Sequence, residues 1–532
     1  MKSFRRLIAF AVFTCLFALA KPARAYSLLT HEQLIDLTWN SAIVPLLLSR
    51  YPTLTPAQIE HARAYAYGGC VIQDIGYYPF GDLFFSNLTH YVRSGDFVVN
   101  LFRNAGNADE LAFAVGALSH YIGDSVGHSE ATNLAVPVEF PALRDKYGHI
   151  VTYGEGEHQH VQTEFAFDIN EIAHGRFAPV HYLRSVGLEV PTKQLALAFY
   201  QTYGLREDFT QTRHHRINVG AYRFSVHRMI PRVAYALNVL HRHHEPADPT
   251  PAEPHAYAEL QQLVAQVTAV EQENNWAAYR KHPGIGTYCL AGFIRILPKI
   301  GPLKLLAIKG PTPQTEADYV HSVLVSTNAL RHELRRFTPP PATKPTAQEA
   351  AASDTHSEPP PGIPLPIAPG SAQNIPRDST DPSHPLMNRD LDTGFPVRPS
   401  GYALTDETYA TLLQRLTETP TNKIPPGIKT NVLAYYSNLS LPFATKKDPQ
   451  EWAAVQKNLV TLRSMNTSTA PKPFPTYADG NNGITPATGS PSPGGKNSTP
   501  STGTVPATAQ GAPQSSNSTK SQIPATQSPN KL

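Results

Sequence analysis

Apolar residues recur every three or four positions through the first two-thirds of the chain. Leu34, Leu37, Ala42 and Leu46 keep this spacing, as do Leu195, Ala198, Phe199 and Tyr203. Such a period gathers side chains on one face of a helix. The strict alternation of a half-buried strand is scarce. Residues 26 to about 337 therefore read as an all-α globular region, long enough to bury a sizeable core. Thr55 is an expected helix cap with Pro56 at the first helical position. Thr192, following Pro191, is the expected cap of the helix carrying Leu195 to Tyr203. Segments near 210–243 and 254–280 also read as helices.

The pattern then changes. Residues 281–310 are apolar and basic, and Pro298 and Pro302 interrupt them. These prolines rule out one long amphipathic helix, which favours a core-packing segment. The other reading is transient contact of 288–309 with a membrane surface, with Arg295, Lys299, Lys304 and Lys309 facing headgroups. A helical extension, 246–337, is expected to pack on a domain spanning 26–245. Pro339-Pro340-Pro341 sits at the start of a Pro-rich linker, 338–395. Residues 396–465 recover a helical pattern (Thr408 to Leu416, Trp452 to Leu462), with a thin expected core. The Ser/Thr/Pro-rich 466–532 reads as a disordered tail.

Lys2, Arg5 and Arg6 precede an apolar run from Leu7 to Ala20, and Ala23-Arg24-Ala25 has a small–x–small cleavage pattern. Residues 1–25 thus read as a signal peptide, which implies a secreted or periplasmic (cell-envelope) protein beginning at Tyr26. The chain carries a formal charge of +3, and Lys2, Arg5, Arg6, Lys21 and Arg24 all lie in this leader. The mature chain is close to neutral, so no general basic field attracts nucleic acid. Two cysteines lie beyond the leader, Cys70 and Cys289. Whether they pair is left open by the sequence.

The chemistry concentrates in Gly116-Ala-Leu-Ser-His120-Tyr-Ile-Gly-Asp124-Ser-Val-Gly-His128. His120, Asp124 and His128 recur every fourth residue and would share a helical face. Burying such groups is costly unless something pairs with them. His160-Val-Gln-Thr-Glu164 repeats the device, and His31, Asp74 and His90 lie upstream in apolar or aromatic surroundings. One His-x3-Asp pair is more often structural than functional, but two such pairs, the first prolonged by His128, favour metal. Nitrogen and oxygen donors without thiolate suit zinc in an open site. His158 would point elsewhere on a helix, and His214, His215, His241, His243 and His244 lie among arginines and read as a solvated face.

These ordered motifs, spread over roughly 26–245, resemble the zinc-dependent phospholipase C superfamily, which includes three-zinc single-strand nucleases and the N-terminal domain of glycosylphosphatidylinositol-specific phospholipase D. The resemblance implies an all-α fold holding two or three Zn2+ ions at the bottom of a cleft. It implies nine metal ligands: Tyr26 through its free amine and carbonyl, His31, Asp74, His90, His120, Asp124, His128, His160 and Glu164. Asp124 would bridge two ions, and Asp74 would orient or deprotonate the attacking water, making these two the implied catalytic residues. The chain departs from secreted bacterial phospholipases C in having three rather than five residues between the positions of Asp124 and His128, a shorter form similar to the phospholipase D branch. Ile75 and Asn87 stand where aromatic residues help to hold choline, so choline specificity is not implied. The resemblance implies a phosphodiester hydrolase acting on phospholipid headgroups. A single-strand-specific zinc nuclease and a non-catalytic zinc-stabilised envelope module are the alternatives.

Overall fold

The structure is a computed structural model that describes residues 27–177, 186–207, 209, 213–241, 254–272, 284–298, 306–339 and 385–469. The expected signal peptide, Tyr26, most of the Pro-rich stretch and nearly all of the tail lie outside these residues. The chain divides into two units, Met1–Thr488 and Gly489–Leu532, and every described residue belongs to the first. Among the described residues the architecture is all-α, with two isolated bridges, Arg389 with Pro396 and Ile424 with Thr467.

The helices around the site are α1 (Leu28–Thr38), α2 (Pro56–Gly69), α3 (Leu83–Tyr91), α4 (Ser94–Arg103), α5 (Ala108–Gly127) and α6 (Glu157–Ala173). Those that enclose them are α7 (Ile230–His241), α8 (Ile285–Ile296), α9 (Pro313–Phe337) and α10 (Ala403–Thr417). α5 runs through the core. The Asn107 side chain caps it by accepting the Glu110 N–H at 2.9 Å, and Asp109 and Glu110 in its first turn complement the helix dipole. Beyond that turn nearly every residue of α5 is buried.

Two glycines let α2 and α5 touch backbone to backbone. A Cβ on Gly116 would stand 2.2 Å from the Ala66 carbonyl oxygen, and one on Gly69 would stand 2.1 Å from that of Phe113. Larger residues would force the helices apart, shifting the ligand-bearing half of α5. α1 is fixed by a distant cap. The Asp168 carboxylate on α6 accepts the Leu29 and Thr30 N–H groups, both at 3.0 Å, and the Thr30 hydroxyl at 2.8 Å. That seats the turn carrying His31.

Local expectations hold with two corrections. Thr55 and Gln58 form a reciprocal capping box with Pro56 in the first turn. Thr192 is not the cap of its helix. Pro191 takes that position, and its carbonyl already accepts the Leu195 N–H at 3.1 Å, so the ladder starts one residue earlier. His128 does not prolong α5 in α geometry but opens a π-helical turn, His128–Thr132. Cys70 is buried and Cys289 exposed, and both are free thiols, so they do not pair.

The apolar 281–310 stretch divides its surface. On α8, Ala291 and Ile294 are buried, as core packing requires. The opposite face carries Ile285, Tyr288 and Ile296, of which Ile285 is 84% and Ile296 76% exposed.

Residues 385–469 are more deeply embedded than their composition suggests. Tyr409, Leu412, Leu413 and Leu416 of α10, with Leu386 and Leu391 before it, join the same apolar cluster as α2 and α5. Pro385, inside the segment expected to be a linker, is thus already packed. The residues from Pro385 to Phe395 bond extensively to the backbone and side chains of α3, α4 and α5.

Candidate metal centre

Eight of the nine expected donors converge. Tyr26 lies outside the described residues. The other eight are His31 on α1, Asp74 on the 3-10 turn Ile72–Tyr77, His90 at the end of α3, His120 and Asp124 on α5, His128 on the π turn, and His160 and Glu164 on α6. All eight are buried. They form three donor triads, with ligand atoms in each within 4.8 Å of one another: His31–His120–Asp124, Asp74–His90–His120 and His128–His160–Glu164.

Asp124 sits at the middle. Its Oδ1 is 3.2 Å from His31 Nε2, while its Oδ2 is 3.0 Å from His120 Nε2 and 3.3 Å from His90 Nε2. His90 Nε2 is also 3.3 Å from Asp74 Oδ1. Further along, Glu164 Oε1 is 2.9 Å from His160 Nε2 and 3.2 Å from His128 Nε2.

The arrangement fits cations better than hydrogen bonds. Neither Asp124 oxygen nor Asp74 Oδ1 accepts a hydrogen bond, although each has an imidazole nitrogen within 3.3 Å. The His128 Nε2–Glu164 Oε1 contact, at 3.2 Å, does lie in hydrogen-bonding geometry. The Nδ1 atoms of three ligand histidines face backbone carbonyls: Ser86 for His90 (2.7 Å), Cys70 for His120 (3.1 Å) and Leu391 for His128 (2.8 Å). With Nδ1–H donated in this way, each Nε2 presents a lone pair, the tautomer a metal requires. His90 Nε2 and His120 Nε2 then face each other at 3.5 Å, an unfavourable pairing of lone pairs unless a cation lies between them.

Electrostatics agree. Burial alone would raise the Asp124 carboxyl, but His120, His31 and His90 outweigh it and hold it well below the usual carboxylate range. Burial pushes Glu164 well up despite His128. His90, which burial would lower, is driven up to about 10 by Asp124 and Asp74, whereas burial and His120 lower His31. Such opposed demands within one cluster are relieved when divalent cations replace protons.

His158, His214 and His215 lie outside the three clusters, although His215 is half-buried rather than on a solvated face. His158 and His214 are exposed, and His215 pairs with Glu207 at 3.4 Å. His243 and His244 lie outside the described residues, as does the side chain of His241. Sequence reasoning missed Asp168, although it continues the four-residue step of His160 and Glu164. It also missed Leu391 and Asp392, for which spacing gives no signal.

An all-α domain whose buried histidines and carboxylates converge in three clusters defines the class: a helical domain with donor groups able to hold metal. Residues 30–208 match the family model described as zinc dependent phospholipase C, and the domain they form belongs to that superfamily. Neither the curated proteins nor the solved structures contain a match.

Proposed function

We propose that this protein is a secreted zinc-dependent phosphodiesterase that hydrolyses phospholipid headgroups. The observation that carries the reading is the division of Asp124, one oxygen toward His31 and the other toward His90 and His120. A carboxylate so placed could contribute an oxygen to each of two cations, and a pair of cations suits displacement at phosphorus.

When bound, zinc supplies positive charge for the phosphate oxygens and the leaving oxygen and makes water a stronger acid. The chain's own groups do the rest. Asp124 sets the spacing of the clusters. Asp74 Oδ1, buried and without a hydrogen bond, orients the attacking water and takes its proton where that oxygen is not fully engaged as a ligand. Nδ1–H bonds to backbone carbonyls keep His90, His120 and His128 from turning away.

Cleavage after Ala25 would free the Tyr26 amine as the ninth donor, linking export to completion of the centre. The exposed Ile285, Tyr288 and Ile296, with the exposed Arg295 beside them, would rest on the lipid surface and hold the protein at its substrate.

The test is mature protein assayed on phosphatidylcholine, phosphatidylinositol, single-stranded DNA and a generic phosphodiester, with zinc and with chelator. Zinc-dependent release of a phosphorylated headgroup is the expected result. Preferential cutting of single-stranded DNA would favour the nuclease, and full zinc without turnover of any substrate the non-catalytic module. An extra residue left before Tyr26 should lower both zinc content and turnover; normal values would remove Tyr26 from the ligand set.

A further inference from the structure

The stretch from Pro385 to Phe395 lies far outside the family-matched residues, yet it presses on the backs of the metal ligands. Leu391 is the central contact. Its N–H donates to the His90 carbonyl at 3.1 Å, and its carbonyl accepts His128 Nδ1–H at 2.8 Å, from 263 residues further along the chain. His90 takes the carbonyl that orients it from its own helix, and His120 from the end of α2. His128 depends on a segment that arrives much later in sequence.

Asp392 pins that segment down. Its carboxylate is buried and accepts the Tyr91 hydroxyl at 2.7 Å and the Tyr402 hydroxyl at 2.9 Å. Its carbonyl accepts Asn133 Nδ2 at 2.8 Å. Tyr91 follows His90, and Asn133 closes the turn that His128 opens. On the same stretch the Met387 carbonyl accepts the hydroxyl of Tyr121, next to His120, at 2.7 Å. The Arg389 carbonyl accepts the Ser94 hydroxyl at 2.6 Å, and the Asn388 amide bonds Asp96 in both directions. Gly394 adopts a left-handed φ of 72° where a Cβ would lie 2.3 Å from the Ser125 carbonyl oxygen. Only glycine lets the strap lie this close to the residue after Asp124.

We propose that Pro385–Phe395 is a working part of the metal centre, with Leu391 and Asp392 as positioning residues for His128. The strap fixes the tautomer and direction of His128, so the ion held by His128, His160 and Glu164 depends on it more than the other ions do. Loss of a partner to the second nitrogen of a metal-bound histidine weakens metal affinity by about 10–100-fold. The inference rests on the reading of the three triads as metal sites.

The full mature chain should be dialysed against buffers of fixed free zinc, and zinc bound per chain measured for wild type, Asp392→Ala and Tyr402→Phe. Asp392→Ala should hold one ion fewer than wild type at limiting zinc and regain it at roughly 10–100-fold higher free zinc, with the remaining ions unchanged. Tyr402→Phe removes one hydroxyl, leaves the Tyr91 bond in place and should weaken the same single ion by less. It decides the matter if Asp392→Ala fails to fold. Unchanged binding of every ion, or a parallel loss of all of them, overturns the strap's role. A wild-type chain without zinc would instead refute the metal sites themselves.

Discussion

Helices α5 and α8 break the usual inside-out rule in opposite directions. α5 buries two imidazoles' worth of metal chemistry, His120 and, just past its end, His128, together with Asp124, all without solvent exposure. α8 leaves Ile285 and Ile296 mostly in water. Each arrangement is costly in the isolated domain: buried polar groups lose hydration, and exposed aliphatic side chains order water without gain. Each cost is offset when something outside the polypeptide arrives, cations for α5 and, in the proposed function, lipid for α8. A residue placed against its own solubility points to a ligand more directly than a motif does.

The sharpest way to break this comparison is at Asp124. Asp124→Ala should release zinc and lower turnover by roughly 10³-fold or more, because several kcal/mol of charge stabilisation leave with the ions. Zinc analysis beside a phosphodiesterase assay measures both, and a zinc-replete, active variant would leave α5 an ordinary core helix.

Next in size is Gly116→Ala, which touches no ligand. Its methyl would collide with the Ala66 carbonyl, so thermal unfolding should show a loss of about 1–3 kcal/mol or more. Zinc affinity should fall too, as α5 is displaced. A stability matching wild type would show that the α2–α5 contact has slack.

The smallest effect is expected on α8. Ile285→Asp and Ile296→Asp should each weaken binding to phospholipid vesicles, by about tenfold for every 1.4 kcal/mol of apolar burial forgone. Turnover of a short soluble phosphodiester should not change. Equal vesicle binding by both variants and wild type would remove the lipid from the comparison.

How much the sequence discloses follows the range of each interaction. The three-to-four-residue period in Leu195–Tyr203 and the Thr55 capping box are set within a few residues, so the helical class and individual helix starts are legible. The pairs His120–Asp124 and His160–Glu164 are legible for the same reason, since one turn of helix suffices to align them. His128 is legible as a donor but not in its allegiance, because the π turn swings it from the α5 cluster to Glu164. Asp168 carries the right spacing but acts as a cap on a helix well over a hundred residues upstream. Leu391 steadies His128 only through its peptide group, which every residue possesses. No pattern of side chains could have announced it.

The dependence of His128 on Leu391 also orders events in time. A chain made from its N-terminus presents His31 through Glu164 first, and more than two hundred residues must follow before the Leu391 carbonyl emerges. A nascent or prematurely ended polypeptide would thus carry its full set of zinc-binding side chains with one of them still unsteadied. Full maturation would be withheld until synthesis has passed Phe395.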